Sequence, residues 1–378
     1  MKQNINIKNI IKITILAIIL FVVLYITVGM INKSSATIPD CFGYISYGYD
    51  KTIFSEISEI QKTESYPSGI SINAQSFSSG YVESVGGIFA SVGIISTNEN
   101  YVNFHSINIS KGAFDNTGAV ISETLANRLF KSIDIIGAKF YLFDMEISVA
   151  GVYKPDKSFL TQISSDGKDY IIVPYSLNLT QNNDVDYLYI KDETSGNIST
   201  ADEMELNTLL NGKLSNYVKV NLSENKKIVS QFKDMLFFLL GVIIFVVLSK
   251  NLLKFISAFI NKENEKNIVF YIKFIATIVI LIIIPIIVSI DLYIPVNFFP
   301  VDKNILNISH YVNLFINFIQ SQNINSYYFY NNLYFWSILF FILLMIINIL
   351  IFIIITYKFK MSVYYQRNKH TLQNKQII

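Results

Sequence analysis

Residues of the types that carry most enzyme chemistry are scarce and scattered in this sequence. Histidine occurs three times and cysteine once, which leaves little material for a zinc or iron site and none for an intrachain disulfide. The S-x-x-K pattern recurs in this Ser- and Lys-rich chain, for example at 165–168, over a turn signal, and at 223–226, in a polar stretch before an apolar run. No phosphate loop, HExxH or CxxC motif is present. We therefore predict a non-catalytic chain without cofactor or metal, unable to hydrolyse ATP through a phosphate loop.

The remaining chargeable residues point to structure rather than chemistry. His105 stands between Phe104 and Ser106 in a predicted strand, and we expect it at the surface or at the edge of the sheet. The acidic residues near the end of the polar region lack the spacing of a calcium loop, so we expect a solvated surface. These residues are Asp184, Asp186, Asp192, Glu193, Asp202, Glu203 and Glu205.

Composition places the chain in a membrane. Of its 378 residues, 52% are hydrophobic and 15% are charged, whereas soluble proteins carry roughly 25% charged residues. Apolar runs of about 20 residues are typical of transmembrane helices. Four such helices are predicted, at 13–31, 233–260, 274–290 and 333–357. The first run has a core too long for a signal peptide, so we interpret it as an uncleaved anchor.

The distribution of charge predicts the topology. Residues 1–12 carry a net charge of +3, residues 249–273 carry +3, and the tail 358–378 carries +5, whereas residues 32–232 carry −8. Because basic segments stay in the cytoplasm, we place both termini there, together with a loop at 261–273. The region 32–232 becomes a large extracellular domain, and 291–332 an outer loop.

The extracellular region carries the patterns of a mixed α+β domain. Ser122 is a suitable N-cap for a helix over Glu123–Phe130. Strands are predicted around this helix, and Val185–Ile190 is expected to pair with Tyr170–Val173. The other predicted strands are Tyr101–Ile109, Ala119–Ile121, Lys139–Phe143 and Ile147–Val152.

Four phrases in this region resemble the periplasmic core domain of MacB-like ABC transporter permeases, of the FtsX-like permease class. They are GAVISETLANRLF at 118–130, DIIG at 134–137, ISVAGV at 147–152 and IIVP at 171–174, in the order found in that family. One helix, a large outer domain and three further helices are also the layout of these permeases. The resemblance implies structural roles for Gly112, Ser122, Glu123, Leu125, Ala126, Phe130, Gly137, Gly151 and Pro174.

The chain departs from that family after the second span. Family members carry a phrase like rEIGirkAlGa there, where the ATPase docks, whereas this chain reads KNLLKFISAFINKENEK at 250–266. The amphipathic part, with Lys250, Lys254 and Phe255, is interpreted either as an interfacial coupling helix or as a continuation of the second span. A second amphipathic segment, 305–319, is expected on the outer leaflet or against the outer domain.

The resemblance implies a permease subunit of an ABC-type export or mechanotransmission system. A separate ABC ATPase would drive a homodimer or heterodimer of permease subunits in the cell membrane, and the outer domain would act on a peptide, lipoprotein or drug-like substrate. The alternative is a membrane-anchored extracellular sensor or scaffold without transport. The partners expected are the ATPase, a second permease subunit and the lipid bilayer, with no nucleic acid.

Overall fold

The computed structural model describes residues 7–46, 50–115, 117–177, 184–194, 196, 198–260, 275, 278–279 and 329–375. The chain divides into two compact units. One, which we call the helical unit, comprises Met1–Lys33, Ile228–Gln320 and Ser337–Ile378. The other, the sheet unit, comprises Ser34–Lys227 and Ser321–Trp336.

Three long helices among the described residues have the length and hydropathy of membrane spans. They are α1 (Ile7–Thr37), α7 (Leu222–Ile260) and α8 (Phe329–Lys375). Their apolar stretches are Thr14–Thr37, Leu222–Val247 and Phe329–Lys358, with mean hydropathies of 2.8, 1.9 and 3.5. The predicted span 274–290 and the amphipathic segment 305–319 lie outside the described residues, apart from positions 275, 278 and 279.

Within the helical unit, α1 and α8 are joined by a buried polar contact. The Asn348 side-chain amide donates to the Thr27 hydroxyl over 3.2 Å, and that hydroxyl donates to the Val23 carbonyl over 2.7 Å. Asn348 and Thr27 are both fully buried. Hydrogen bonds between helices are favoured in lipid because water offers no alternative partner there.

The sheet unit contains ten strands in one sheet, with order β10-β1-β9-β2-β3-β8-β5-β7-β4, and β6 pairs with β2 and β7. The strands are β1 (Phe42–Ser46), β2 (Ile70–Ser84), β3 (Phe89–Thr97), β4 (Asn108–Gly112), β5 (Ala119–Ser122), β6 (Lys139–Leu142), β7 (Met145–Lys154), β8 (Tyr170–Pro174), β9 (Tyr187–Asp192) and β10 (Tyr217–Asn221). The helices are α2 (Phe54–Ile60), α3 (Tyr101–Phe104), α4 (Glu123–Phe130), α5 (Phe159–Ser164) and α6 (Thr200–Leu209). The fold class is therefore a membrane protein with a mixed α/β domain between its first two described spans.

Two hydrophobic cores divide the sheet unit into lobes. The first lobe packs α4 against β3, β5, β6, β7, β8 and the second half of β2. The second lobe packs α2 and α6 against β1, β9, β10 and the first half of β2. Strand β2 joins them, since Ile70–Gln75 pairs with β9, Gln75–Glu83 with β3, and Val82–Ser84 with β6.

Two predictions about this domain are wrong. The predicted strand at Tyr101–Ile109 is instead helix α3, followed by β4. Tyr101 and Phe104 are both buried, and residues three positions apart share a face of a helical turn, so burial of both rings favours the helix. Strand β9 pairs with β1 and β2 rather than with β8, because β9 belongs to the second lobe and β8 pairs with β3 and β5 in the first.

Candidate functional site

The motif around Ser122 builds the start of α4 and bonds it to Asp169, the residue before β8. The Ser122 hydroxyl accepts from the Leu125 backbone N–H over 3.0 Å and donates to the Asp169 carboxylate over 3.0 Å. Arg128 of the same helix lies 3.1 Å from the other oxygen of Asp169. Leu125 and Ala126 are fully buried in the first lobe, and Phe130 packs against it half-buried. Glu123 occupies the first turn of α4, where a negative charge faces the positive end of the helix dipole.

The motif glycines lie where strands approach closely or turn. Gly112 has φ +68°, and a Cβ there would overlap the Ala150 carbonyl oxygen. A Cβ on Gly151 would lie 2.9 Å from the Ala113 carbonyl oxygen. Gly137 has φ +81° in the turn before β6, and Pro174 is buried at the end of β8. These residues support the first lobe and bring no reactive group together.

The predicted coupling residues lie on α7, which runs without a break to Ile260. The helix therefore continues beyond its apolar stretch, which ends at Val247. Lys250 is exposed on this helix. Lys254 and Phe255 are helical, and their side chains lie outside the described part of the chain.

The site that the sequence did not indicate centres on His105. This side chain is 4% exposed, so the expectation of a surface or edge position is wrong. Its Nδ1 lies 2.5 Å from the hydroxyl oxygen of Tyr330, in the first turn of α8. The two rings stack with centroids 5.6 Å apart and planes 6° from parallel. Tyr189 of β9 meets both rings edge-on, at 4.7 Å from His105 and 6.1 Å from Tyr330.

Strand β2 holds the other edge of the imidazole. The Gln75 side-chain nitrogen approaches Nε2 closely and also donates to the Asn73 oxygen over 2.7 Å. Nε2 also lies 3.1 Å from the Asn73 side-chain oxygen, which can only accept. The tautomer of the neutral ring therefore sets which of these two amides Nε2 bonds and whether Nδ1 donates to the Tyr330 hydroxyl or accepts from it. Asn73 donates in turn to Thr97 over 2.8 Å and to Asn98 over 2.7 Å. We call these five residues, with Tyr330 and Tyr189, the junction cluster: Asn73, Gln75, Thr97, Asn98, His105, Tyr189 and Tyr330.

Burial decides the charge of this site. Desolvation lowers the pKa of His105 from 6.5 to about 3, because an imidazolium ion loses its hydration in the interior. The ring is therefore neutral near pH 7 and acts as a hydrogen-bonding and stacking group. It is poorly suited to exchange protons at that pH.

Two acidic residues of the second lobe, Asp186 and Glu203, are engaged in local ion pairs. Asp186 accepts from Lys51 over 2.6 Å and from the Phe77 backbone N–H over 2.8 Å. Glu203 accepts from the Tyr44 hydroxyl over 2.8 Å and from Lys219 over 2.5 Å. No group of three or more potential metal ligands occurs among the residues that the structure describes.

Comparison with known families decides the identity of this domain. A family model described as the MacB-like periplasmic core domain matches residues 11–205, slightly more than half of the chain. The chain belongs to this MacB-like family. It is a membrane protein with a periplasmic-type core domain.

Two solved structures illustrate the likeness. The periplasmic region of MacB from Actinobacillus actinomycetemcomitans is similar with 16% identity and a TM-score of 0.37, over 48% of this chain and 87% of that one. The extracellular domain of the noncanonic ABC-type transporter YknZ from Gram-positive bacteria is similar with 14% identity and a TM-score of 0.35, over 48% of this chain and 99% of that one. Among curated proteins, the search found no match.

The candidate residues fall into two groups, those inside and those outside the region that the family model matches. The nine motif residues, from Gly112 to Pro174, and His105 lie within the matched MacB-like region. Lys250, Lys254, Phe255 and Tyr330 lie beyond it. The junction cluster therefore joins the MacB-like core domain to a part of the chain that the family model does not cover.

Proposed function

We propose that this protein is the permease subunit of an ABC-type export or mechanotransmission system, which relays the motion of a separate ATPase to the outer domain. The observation that carries the proposal is the MacB-like core domain joined to continuous helices. Helices α7 and α8 each begin in the sheet unit and continue into the helical unit, and α1 runs from the helical unit into the sheet unit. The sequence has no phosphate loop, so ATP hydrolysis is assigned to another chain and none to this one.

The connection of α1 and α7 to the sheet supports such a relay. Strands β1 and β10 pair in antiparallel fashion from Phe42↔Asn221 to Ser46↔Tyr217. Helix α7 begins at Leu222, directly after β10, and the Leu222 and Ser223 backbone N–H groups donate to the Cys41 carbonyl. Displacement of either helix along its axis would therefore act on one hydrogen-bonded strand pair.

Helix α7 is long enough to transmit a displacement from its Ile260 end to its Leu222 end. Its 39 residues correspond to roughly 60 Å at 1.5 Å per residue. An ATPase that pushed the Lys250–Ile260 end would move the Leu222 end with little loss, because an unbroken helix resists compression. We assign ATPase contact to Lys250, Lys254 and Phe255, with both termini in the cytoplasm and two permease subunits in the assembly.

Mass spectrometry of what co-purifies with the tagged full-length protein from mild-detergent membranes tests the proposal. We expect a stoichiometric ATPase carrying a phosphate loop. The variant Lys254→Glu/Phe255→Ala should lose it, whereas the matched control Lys62→Glu/Phe159→Ala, at exposed positions of the sheet unit, should retain it. Recovery of the wild-type chain alone, with the ATPases of the cell elsewhere in the membrane fraction, would overturn the proposal.

A second function, a membrane-anchored extracellular sensor or scaffold, rests on one observation. Residues 250–266 carry no glycine-alanine phrase of the kind with which permeases of this class dock their ATPase. This alternative predicts that the wild type and the Lys254→Glu/Phe255→Ala variant are both recovered without an ATPase.

A further inference from the structure

The first turns of α8 are buried in the outer domain. Residues 329–336 of α8 belong to the sheet unit, and the rest of the helix belongs to the helical unit. Tyr330, Asn331 and Leu333 are 8%, 4% and 1% exposed. A helix with the composition of a membrane span thus starts inside the sheet unit.

We propose that the pair His105–Tyr330 is a coupling joint, which holds α8 in one axial position and rotation against the outer domain so that the last span and the core domain move together. The role of this joint in transmitting motion rests on the proposed function. Its geometry stands independently of the ATPase, since both residues belong to the sheet unit. His105 and Tyr330 act as positioning residues.

The chemistry of the pair explains why it would fix a position rather than merely fill space. Apolar side chains tolerate sliding, because their attraction has little directionality. The contact between Nδ1 of His105 and the Tyr330 hydroxyl is directional and buried, and the rings stack within 6° of parallel. A shift of α8 by one residue, about 1.5 Å along its axis with a turn of about 100°, would break the bond. It would also leave a buried donor without a partner, which is costly.

The contacts of His105 identify the strands to which a force on Tyr330 would be transmitted. The imidazole is held by Gln75 and contacts Asn73, both on β2, and Tyr189 of β9 packs against the two rings. Strand β2 pairs with β9 in the second lobe and with β3 and β6 in the first. The joint therefore acts on the strand that runs through both lobes.

Double electron–electron resonance measures distances between two spin labels, and it tests the joint in the full-length protein in lipid nanodiscs without nucleotide. Spin labels are attached to cysteines introduced by Met204→Cys and Leu343→Cys, at positions that are 65% and 52% exposed. Cys41→Ala removes the native cysteine. Tyr330→Phe keeps the stacked ring and removes only the hydroxyl oxygen. We expect it to increase the population of displaced distances on the order of tenfold. The control Tyr357→Phe, at an exposed tyrosine of the same helix, should leave the distribution unchanged.

A structural role alone would give a different pattern. It would lower the thermal midpoint of the sheet unit in Tyr330→Phe and leave the distance distribution of the folded protein unaltered. A distribution that coincides with the wild type therefore overturns the joint. His105→Phe, which keeps a ring and removes both nitrogens, should broaden the distribution as Tyr330→Phe does, and the double variant should be no worse than either single one.

The same labels separate this inference from the proposed function. With the ATPase and ATP present, we expect a nucleotide-dependent shift of the distances in the wild type and in Tyr357→Phe, and its loss in Tyr330→Phe. Should the wild type show no shift with nucleotide, the proposed function fails. The joint is then still judged by the distributions measured without ATP.

Discussion

The first lobe and the junction cluster are built in opposite ways. In the first lobe, Ser122, Leu125, Ala126 and Phe130 lie within nine consecutive residues and form one capped helix on an apolar core. In the junction cluster, His105 contacts Gln75 and Asn73, 30 and 32 residues away, and Tyr330, 225 residues away. Local signals are sufficient for the lobe, whereas the cluster exists only when distant segments meet.

The two regions also differ in the kind of interaction. The lobe is held by apolar side chains, whose contribution scales with the area removed from water. The cluster is held by polar groups, each of which needs a particular partner when buried. Substitutions should therefore act through lost volume in the lobe and through unpartnered groups in the cluster.

The largest effect is expected in the lobe. Leu125→Ala should lower the free energy of unfolding of the sheet unit by about 3 kcal/mol, because it leaves a cavity where a fully buried side chain stood. Hydrogen exchange of the full-length protein measures the change. Met204→Ala, at a position 65% exposed, should stay within about 0.5 kcal/mol of the wild type, and an equal loss in both variants would contradict the packing argument.

His105→Leu should cost about 2 kcal/mol in the same measurement, because it leaves Gln75 and Tyr330 without their shared partner. A double variant with Tyr330→Phe removes both sides of one bond, so its loss should be smaller than the sum of the single losses. Strict additivity would mean that the two side chains are energetically independent.

Acid should destabilise the junction cluster, because His105 is held neutral there. Protonation of His105 should not affect the packing of the first lobe. The pKa of His105 is about 3 when folded and 6.5 when unfolded, so below pH 6.5 the unfolded chain binds a proton that the folded chain does not. The stabilisation is present above pH 6.5 and is lost progressively as the pH falls towards 3. Between pH 7 and pH 5 the loss is about 2 kcal/mol.

Guanidinium titration of the full-length protein at the two pH values measures this loss, and His105→Phe provides the control. The variant should show a pH dependence smaller by about 2 kcal/mol, since the carboxylates are common to both proteins. Identical pH dependence in the two proteins would show that His105 is not held neutral.

The smallest effect is expected at the helix cap. Ser122→Ala should cost about 1 kcal/mol and should raise hydrogen exchange in α4 and β8, because Ser122 also bonds Asp169. Ser199→Ala removes the equivalent cap of α6, where the hydroxyl accepts from the Asp202 backbone N–H. It should raise exchange in α6 alone, and spread of either effect to the other lobe would contradict the division into lobes.

Local patterns predicted the elements whose residues act on near neighbours. The capped helix over Glu123–Phe130 coincides with α4, and three of the predicted apolar runs overlap the three described spans. The pattern at Tyr101–Ile109 misled because Tyr101 and Phe104 are three positions apart, which is the spacing of a helical turn, and only Ile107 and Ile109 alternate. The strands that pair with β9 could not be predicted from local patterns, because strand pairing depends on which lobe each strand joins.

The sequence by itself determined the membrane character, the helix–domain–helix order and the MacB-like motif, because hydropathy, charge and capping act over a few residues. Only the tertiary structure decided that His105 is buried and neutral and that it meets Tyr330 of α8. A lone histidine carries no local signal of its partner. Its environment is set by chain segments that become neighbours only when β2, β9 and α8 pack together.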